Sequence, residues 1–177
     1  LELCQPLNQV FDGAFAEAVG HIVGVQFRNC ATVGGSVYGR FGFSDVLTLL
    51  LALDTEVHLY KEGWISIERF AARSNEADIL TEIRIRKNRQ VAYLSERLNA
   101  NDFPACAVAV SKGTDGWRCT IGARPCRAKL VRLPEDTEGC DDFAIRKIAR
   151  KAAAAVSYGG GMRGGPAYRQ AVAEVLI

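Results

Sequence analysis

"FRNCATVGGSVYGRFGFSD", residues 27–45, decides how this chain is read. It carries four glycines, hydroxyl residues Thr32 and Ser36 on either side of Gly34-Gly35, and one acid, Asp45, at its end. A turn needs one or two glycines. Gly34 and Gly35 lack a Cβ, so their backbone N–H groups can face an anion at close range. With the two hydroxyls, that makes a nest suited to a pyrophosphate. The same residues also suit a tight turn or bulge. No Gly-Lys-Ser/Thr follows, which excludes a Walker loop, and there is no Gly-x-Gly-x-x-Gly. Asp45 has two readings as well. With Ser44 it can open a helix over 46–53, "VLTLLLAL", as an N-cap or first-turn acid. Alternatively its carboxylate accepts a hydrogen bond from a sugar-like hydroxyl. Cys30 reads as a small buried side chain in a strand.

Outward from that stretch, "LELC" at the start reads as a strand and residues 14–20 as a helix stopped by Gly20. "TEVHLY" and "WISI" form a hairpin around "KEG", followed by a short helix over 68–73. "ILTEIRIR" alternates as a half-exposed strand. Three further strands follow: "QVAYLSERL", "ACAVAVS" and "WRCTIGAR", the last two joined at Asp115-Gly116. A turn-rich stretch runs through Pro125 and Pro134. "DDFAIRKIARKAAAAV" is an amphipathic helix burying Ile145, Ile148, Ala149, Ala152 and Val156. "SYGGGMRGGP" is a flexible connector that could face a partner, and "AYRQAVAEVLI" closes as a helix. The character changes between Arg86 and Gln90, so the expected fold is α+β in two parts. These are residues 1–86, and residues 87–177 as a three-stranded antiparallel sheet packed with helices.

Composition narrows the function. Of 177 residues 49% are hydrophobic and 24% charged, enough to bury a core. The net charge of +2 comes from scattered basic residues, which argues against a nucleic-acid surface. The densest basic group, Arg84, Arg86, Lys87 and Arg89, reads as the exposed end of a strand. Six cysteines without a Cys-x-x-Cys pair, beside only two histidines, are poor material for zinc or iron–sulfur ligation. They read as buried or partly buried thiols in a reducing compartment. No stretch is long enough to span a membrane and no signal pattern opens the chain, so a cytoplasmic location is expected. Without an initiating Met, the chain reads as a piece of a longer one. Neither histidine sits in a motif that would support nucleophilic catalysis, and no catalytic residue is assigned.

"FRNCATVGG" followed by "SD" at 44–45 and then "LALDTEVHL" resembles the flavin-binding subunit of the molybdenum hydroxylases, the xanthine dehydrogenase and carbon monoxide dehydrogenase family. "DILTEIRI", "NDFPACAVAVS" and "GGMRGGPAYRQAVAEVL" extend the resemblance over nearly the whole chain. The resemblance implies the second lobe of a two-lobed FAD-binding, PCMH-like domain, followed by the family's C-terminal domain. It implies that Thr32, Val33, Gly34, Gly35 and Ser36 line the FAD pyrophosphate and ribityl region, and that Asp45 contacts the flavin side of the cofactor. Leu80 would sit near the isoalloxazine ring and Ile22 against the cofactor, although ordinary core packing would suit both residues equally. The chain would relay electrons from [2Fe–2S] clusters in a small subunit, reduced by a molybdopterin-binding large subunit, to an acceptor.

The chain departs from the family pattern in places. Ser36 stands where the family has Asn, Gly42 where a proline is common, and Leu94 where a lysine is frequent. Arg40 adds a charge that could meet a phosphate. The family's other glycine-rich segment, of the form A-G-G-T-D, has no counterpart here. The resemblance therefore implies one wall of an FAD site with the opposite wall outside these residues, and weak cofactor binding by this chain alone. A flavin-free docking module that keeps the fold is the alternative. A small domain binding a different nucleotide is a third.

Overall fold

The structure, a computed structural model, describes residues 1–74, 77–134, 139 and 141–177. Helices α1 (Gln5–Val10), α2 (Ala14–Gly20), α3 (Val25–Cys30), α4 (Val33–Tyr38) and α5 (Asp45–Ala52) come first. Strands β1 (Thr55–Leu59) and β2 (Gly63–Ser66), helix α6 (Ile67–Ala72) and strand β3 (Leu80–Ile85) follow. Then come β4 (Arg89–Glu96), β5 (Cys106–Gly113), β6 (Gly116–Gly122), β7 (Lys129–Arg132), α7 (Asp142–Ala154) and α8 (Pro166–Leu176).

The strands form two antiparallel sheets, ordered β2-β1-β3 and β4-β5-β6-β7. β1 buries Thr55, Val57 and Leu59 and leaves Glu56 and His58 half-buried, the period-2 pattern of a one-sided strand. Val57 is opposite Ile65 on one side and Ile83 on the other. The two hairpin turns use Gly63 and Gly116 at φ 81° and 97°, backbone that a side chain would strain.

The second sheet is covered on both faces, so β5 buries Cys106, Ala107, Val108 and Ala109 in succession. Ala107 and Ala109, with Val91 and Tyr93 of β4, join a core shared with α2, α5 and β1. Cys106 and Val108, with Cys119 and Ile121 of β6, pack against Ala153, Val156 and Ala173 of α7, its end and α8. Every residue of α5 is buried. It lies directly on β6 at Gly122, where a Cβ would come 2.1 Å from Thr48 Oγ1. The chain leaves the first sheet at Ile85 and enters the second at Arg89, yet one core runs through both.

Several expectations are corrected. "LELC" is a turn leading into α1, whose first turn contains Pro6, and not a strand. The second sheet has four strands, because "KLVR" pairs with β6 through Cys119↔Val131 and its neighbours. A four-residue strand inside a Pro- and Arg-rich stretch carries too little periodicity to be read locally. In α7 the buried residues are Ala149, Ala152 and Ala153, while Ile145 is exposed. Arg89 is not an exposed strand end. Its side chain is fully buried and pairs with Asp54 and Asp115. The 157–166 connector is tied down by a Gly161↔Gly164 bridge and by Arg163 bonded to Asp102. Cys30 is exposed on α3 rather than buried in a strand, and Cys4 and Cys126 are exposed too; Cys140 lies outside the described residues.

Candidate functional site

Residues 25–45 fold as two short helices and a closing loop, not as an open glycine turn. Thr32 Oγ1 caps α4 by accepting from Gly35 N at 3.0 Å. A Cβ on Gly35 would lie 3.0 Å from that oxygen, so glycine is what lets the cap sit this close. Gly34 and Gly35 are helical, and neither has a positive φ. The two glycines thus open a helix rather than a tight turn or bulge, because local capping by Thr32 overrides the poor helix propensity of glycine. Ser44 Oγ joins α4 to α5. It donates to Ser36 O at 3.0 Å and accepts from Leu47 N at 3.2 Å, capping α5. Asp45 is thus the first residue of α5, with its side chain free for other partners.

Ile22, Thr32, Gly35, Ser36 and Asp45 are brought together on a cleft of about 340 Å³. Phe27, Phe41, Phe43 and Phe103 make most of its wall apolar. Val33 lines an adjoining cleft of about 270 Å³ with Thr32, Ser36 and Arg28. Arg28 fixes the segment before the motif, donating to Ile22 O at 2.7 Å and to Glu2 Oε2 at 2.9 Å. Gly34 and Leu80 line neither cleft. They face each other instead, since a Cβ on Gly34 would lie 3.9 Å from Leu80 Cδ2. Leu80 packs half-buried against the core. Arg40 is not available to a phosphate. It is buried over the Phe70 ring at 4.0 Å and donates to the carbonyls of Arg73 and Ser74 at 3.2 and 2.9 Å. Leu94 is exposed on β4.

The partners that hold Asp45 are residues that local sequence did not single out. Asp45 Oδ1 accepts from Arg97 Nη2 at 2.7 Å and from the Tyr93 hydroxyl. Arg97 also donates to Asp102 O at 2.7 Å and to Ser95 Oγ at 3.3 Å. The Asp45 and Arg97 side chains are only 4% and 7% exposed. Burial pushes the Asp45 carboxyl up from its ordinary value, against the pull of Arg97 and of the Tyr93 hydrogen bond. Burial and the neighbouring carboxylate together push the Tyr93 phenol well up, so it stays a donor. Both bonds from these side chains land on one oxygen of Asp45, which leaves Oδ2 able to accept from a ligand. Tyr93 could have been found from β4's alternation, which puts it on the face of Val91. Arg97 lies beyond the strand and carries no such signal.

Residues 2–86 match the family described as the FAD binding domain in molybdopterin dehydrogenase. This segment belongs to that family. The chain is 28% identical over 178 aligned positions to the uncharacterized protein YgfM of Escherichia coli K12, covering 98% of this chain and 66% of that protein's length. Its fold matches quinoline 2-oxidoreductase from Pseudomonas putida 86, with a TM-score of 0.85 at 16% identity, over 99% of this chain and 67% of that one. It also matches carbon monoxide dehydrogenase from Hydrogenophaga pseudoflava, with a TM-score of 0.82 at 20% identity, over 97% and 66% of the two chains. All eight residues assigned from the resemblance, Ile22 to Leu80, fall inside the FAD-binding segment. Arg97 and Phe103 lie beyond it and line its cleft, and Tyr93, also beyond it, bonds Asp45. Among the described residues no helix is long and apolar enough to cross a membrane, and no cluster of His, Cys, Asp and Glu could hold a metal ion.

Proposed function

We propose that this chain is the flavin-carrying electron-transfer component of a molybdopterin-dependent oxidoreductase. The observation that carries the reading is the Asp45 carboxylate, held by Arg97 and Tyr93 at the end of an apolar cleft inside the FAD-binding segment. The residues present fit FAD in kind. Apolar walls suit the cofactor's rings, and the free oxygen of Asp45 suits a sugar or ribityl hydroxyl. Thr32, Val33, Gly34, Gly35 and Ser36 flank the pyrophosphate and ribityl chain at the start of α4. Ile22 packs on the cofactor from the cleft, and Leu80 packs from beyond Gly34, which suits a ligand long enough to pass over α4. FAD supplies the redox chemistry. The chain orients it, excludes water from one side and holds the Asp45 carboxyl in place through Arg97 and Tyr93.

In this reading a molybdopterin-binding large subunit oxidises the substrate and a [2Fe–2S] small subunit passes the electrons on, with NAD or a quinone as acceptor. The complex works in the cytoplasm. Residues 1–86 form the FAD-binding lobe, and residues 87–177 form a second domain whose loops close the cleft. The test is to titrate FAD, ATP and NAD against the full-length protein and follow flavin fluorescence and competition. FAD is expected to bind in preference to the other two and to lose affinity in Asp45→Asn. Failure of FAD to bind would sink the reading and leave the flavin-free docking module; equal binding of all three would favour a generic nucleotide site.

A further inference from the structure

A second cleft, of about 490 Å³, lies on the other side of the phenylalanines that wall the first. The two share Phe41, Phe43 and Phe103 and no polar residue. The polar lining of the second is basic: Arg127, Arg163 and Arg169 line it with Arg40, whose guanidinium is turned onto Phe70 and two carbonyls, and Cys126 sits among them. The 39–44 and 123–127 loops meet at its floor. Ala123 N donates to Gly42 O at 2.7 Å, and a Cβ on Gly42 would come 2.6 Å from Cys126 O.

The arginines differ in how their charge is met. Arg163 is neutralised by Asp102 Oδ1, at 2.8 and 2.6 Å from Nε and Nη2. Arg127 donates from Nη1 alone, to Arg73 O at 2.6 Å and Ala71 O at 3.3 Å. Arg169 is buried and donates to the carbonyls of Ala105, Ala123 and Gly164. Carbonyls satisfy N–H groups but carry no net charge. Among the described residues the positive charges of Arg127 and Arg169 therefore stand without a carboxylate, and a concave low-dielectric wall focuses their field into the cleft. Arg127 also keeps Nε and Nη2 to offer an anion.

The other wall is aromatic. Phe41 and Phe43 stack with centroids 5.2 Å apart, and Phe103 packs on Phe43 at 4.4 Å. All three stay exposed, Phe41 most, at 55%. Water is a poor partner for three exposed rings beside two uncompensated cations, and one ligand chemistry meets both demands. We propose that this second cleft binds a nucleoside phosphate, with its base against Phe41 and its phosphate on Arg127 within the field of Arg169. The cleft's volume is within the range of small-molecule sites, ~300–1,000 Å³. The proposal is independent of whether FAD occupies the first cleft.

Cys126 supplies the readout, since it is exposed on the cleft wall, and exposed Cys4 serves as a reference in the same sample. The experiment measures the rate of iodoacetamide alkylation at each cysteine by peptide mass, at constant ionic strength, with adenosine 5′-diphosphate, inorganic pyrophosphate or adenosine added. Adenosine diphosphate should slow Cys126 several-fold relative to Cys4, pyrophosphate should do so at higher concentration, and adenosine should not at either. Arg127→Gln should raise the half-protecting concentration about tenfold, the loss of one charge-assisted contact. Phe41→Ala should weaken protection by the nucleotide and not by pyrophosphate. Protection that sulfate reproduces equally, or that is absent throughout, overturns the proposal. So does protection lost in Asp45→Asn and kept in Arg127→Gln, which would assign the nucleotide to the first cleft.

Discussion

The two ends of helix α5 carry two aspartates with opposite fates. Asp45 opens the helix and is buried; Asp54 lies just past its end and is partly open. Asp54 accepts from Asn88 at 2.7 Å and Arg118 at 2.7 Å, and from Arg89 at 3.3 Å, across both of its oxygens. These bonds and charges outweigh its desolvation and hold its carboxyl below the ordinary range. At Asp45 the balance reverses, and burial wins over one arginine and one phenol. One end is a saturated clamp between the sheets. The other keeps one oxygen in reserve at a cleft, the arrangement of a site rather than a brace.

Breaking the clamp should cost most. Arg89→Met leaves Asp54 and Asp115 without the fully buried cation between them. The expected loss is about 3 kcal/mol, read as a lower urea midpoint at unchanged m-value. Asp45→Asn should cost less, about 2 kcal/mol, because Arg97 keeps the Asp102 carbonyl and the Ser95 hydroxyl while losing its carboxylate. Its second readout is FAD affinity, expected to fall about tenfold. A fall in stability with unchanged affinity would reduce Asp45 to a brace like Asp54.

Acid titration should separate the two ends by sign. Asp54 binds protons more weakly when folded, so its contribution is present above the unfolded carboxyl value, about 3.9, and is lost as pH falls through its lower folded value. Asp45 binds protons more tightly when folded, so its contribution is full below the unfolded value and is lost as pH rises through the folded one. Unfolding free energies across this acid range should therefore fall less steeply in Asp54→Asn than in the parent, and more steeply in Asp45→Asn. Parallel curves for all three would remove the contrast. The smallest effect belongs to the cap that shapes the cleft's floor. Thr32→Ala removes the bond to Gly35 N and should cost about 1 kcal/mol, seen as faster amide exchange across α4.

Much of this molecule is legible along the chain where one local rule acts alone. The alternation in "TEVHL", the Asp115-Gly116 turn, the Ser44 cap and the amphipathic 142–154 helix all appear where they are expected. Thr32 three residues before Gly35 is also a cap signal, but a pair of glycines hides it. The motif order from Phe27 to Ile85 marks the FAD-binding segment that the family match assigns to residues 2–86.

Local rules fail where partners are far apart in sequence. Tyr93 and Arg97 reach Asp45 across 48 and 52 residues, and Arg89 is buried by a strand-and-turn neighbour 26 residues away. No periodicity encodes such meetings, because they exist only once α5 is pressed onto the second sheet at Gly122. The sequence by itself determined the element types and the side chains that cap them, since those depend on neighbours three or four residues off. Tertiary structure decided which charges are buried, which aromatics wall a cleft and which aspartate keeps an oxygen free. Those properties depend on desolvation, and desolvation is set by whatever the rest of the fold packs on top.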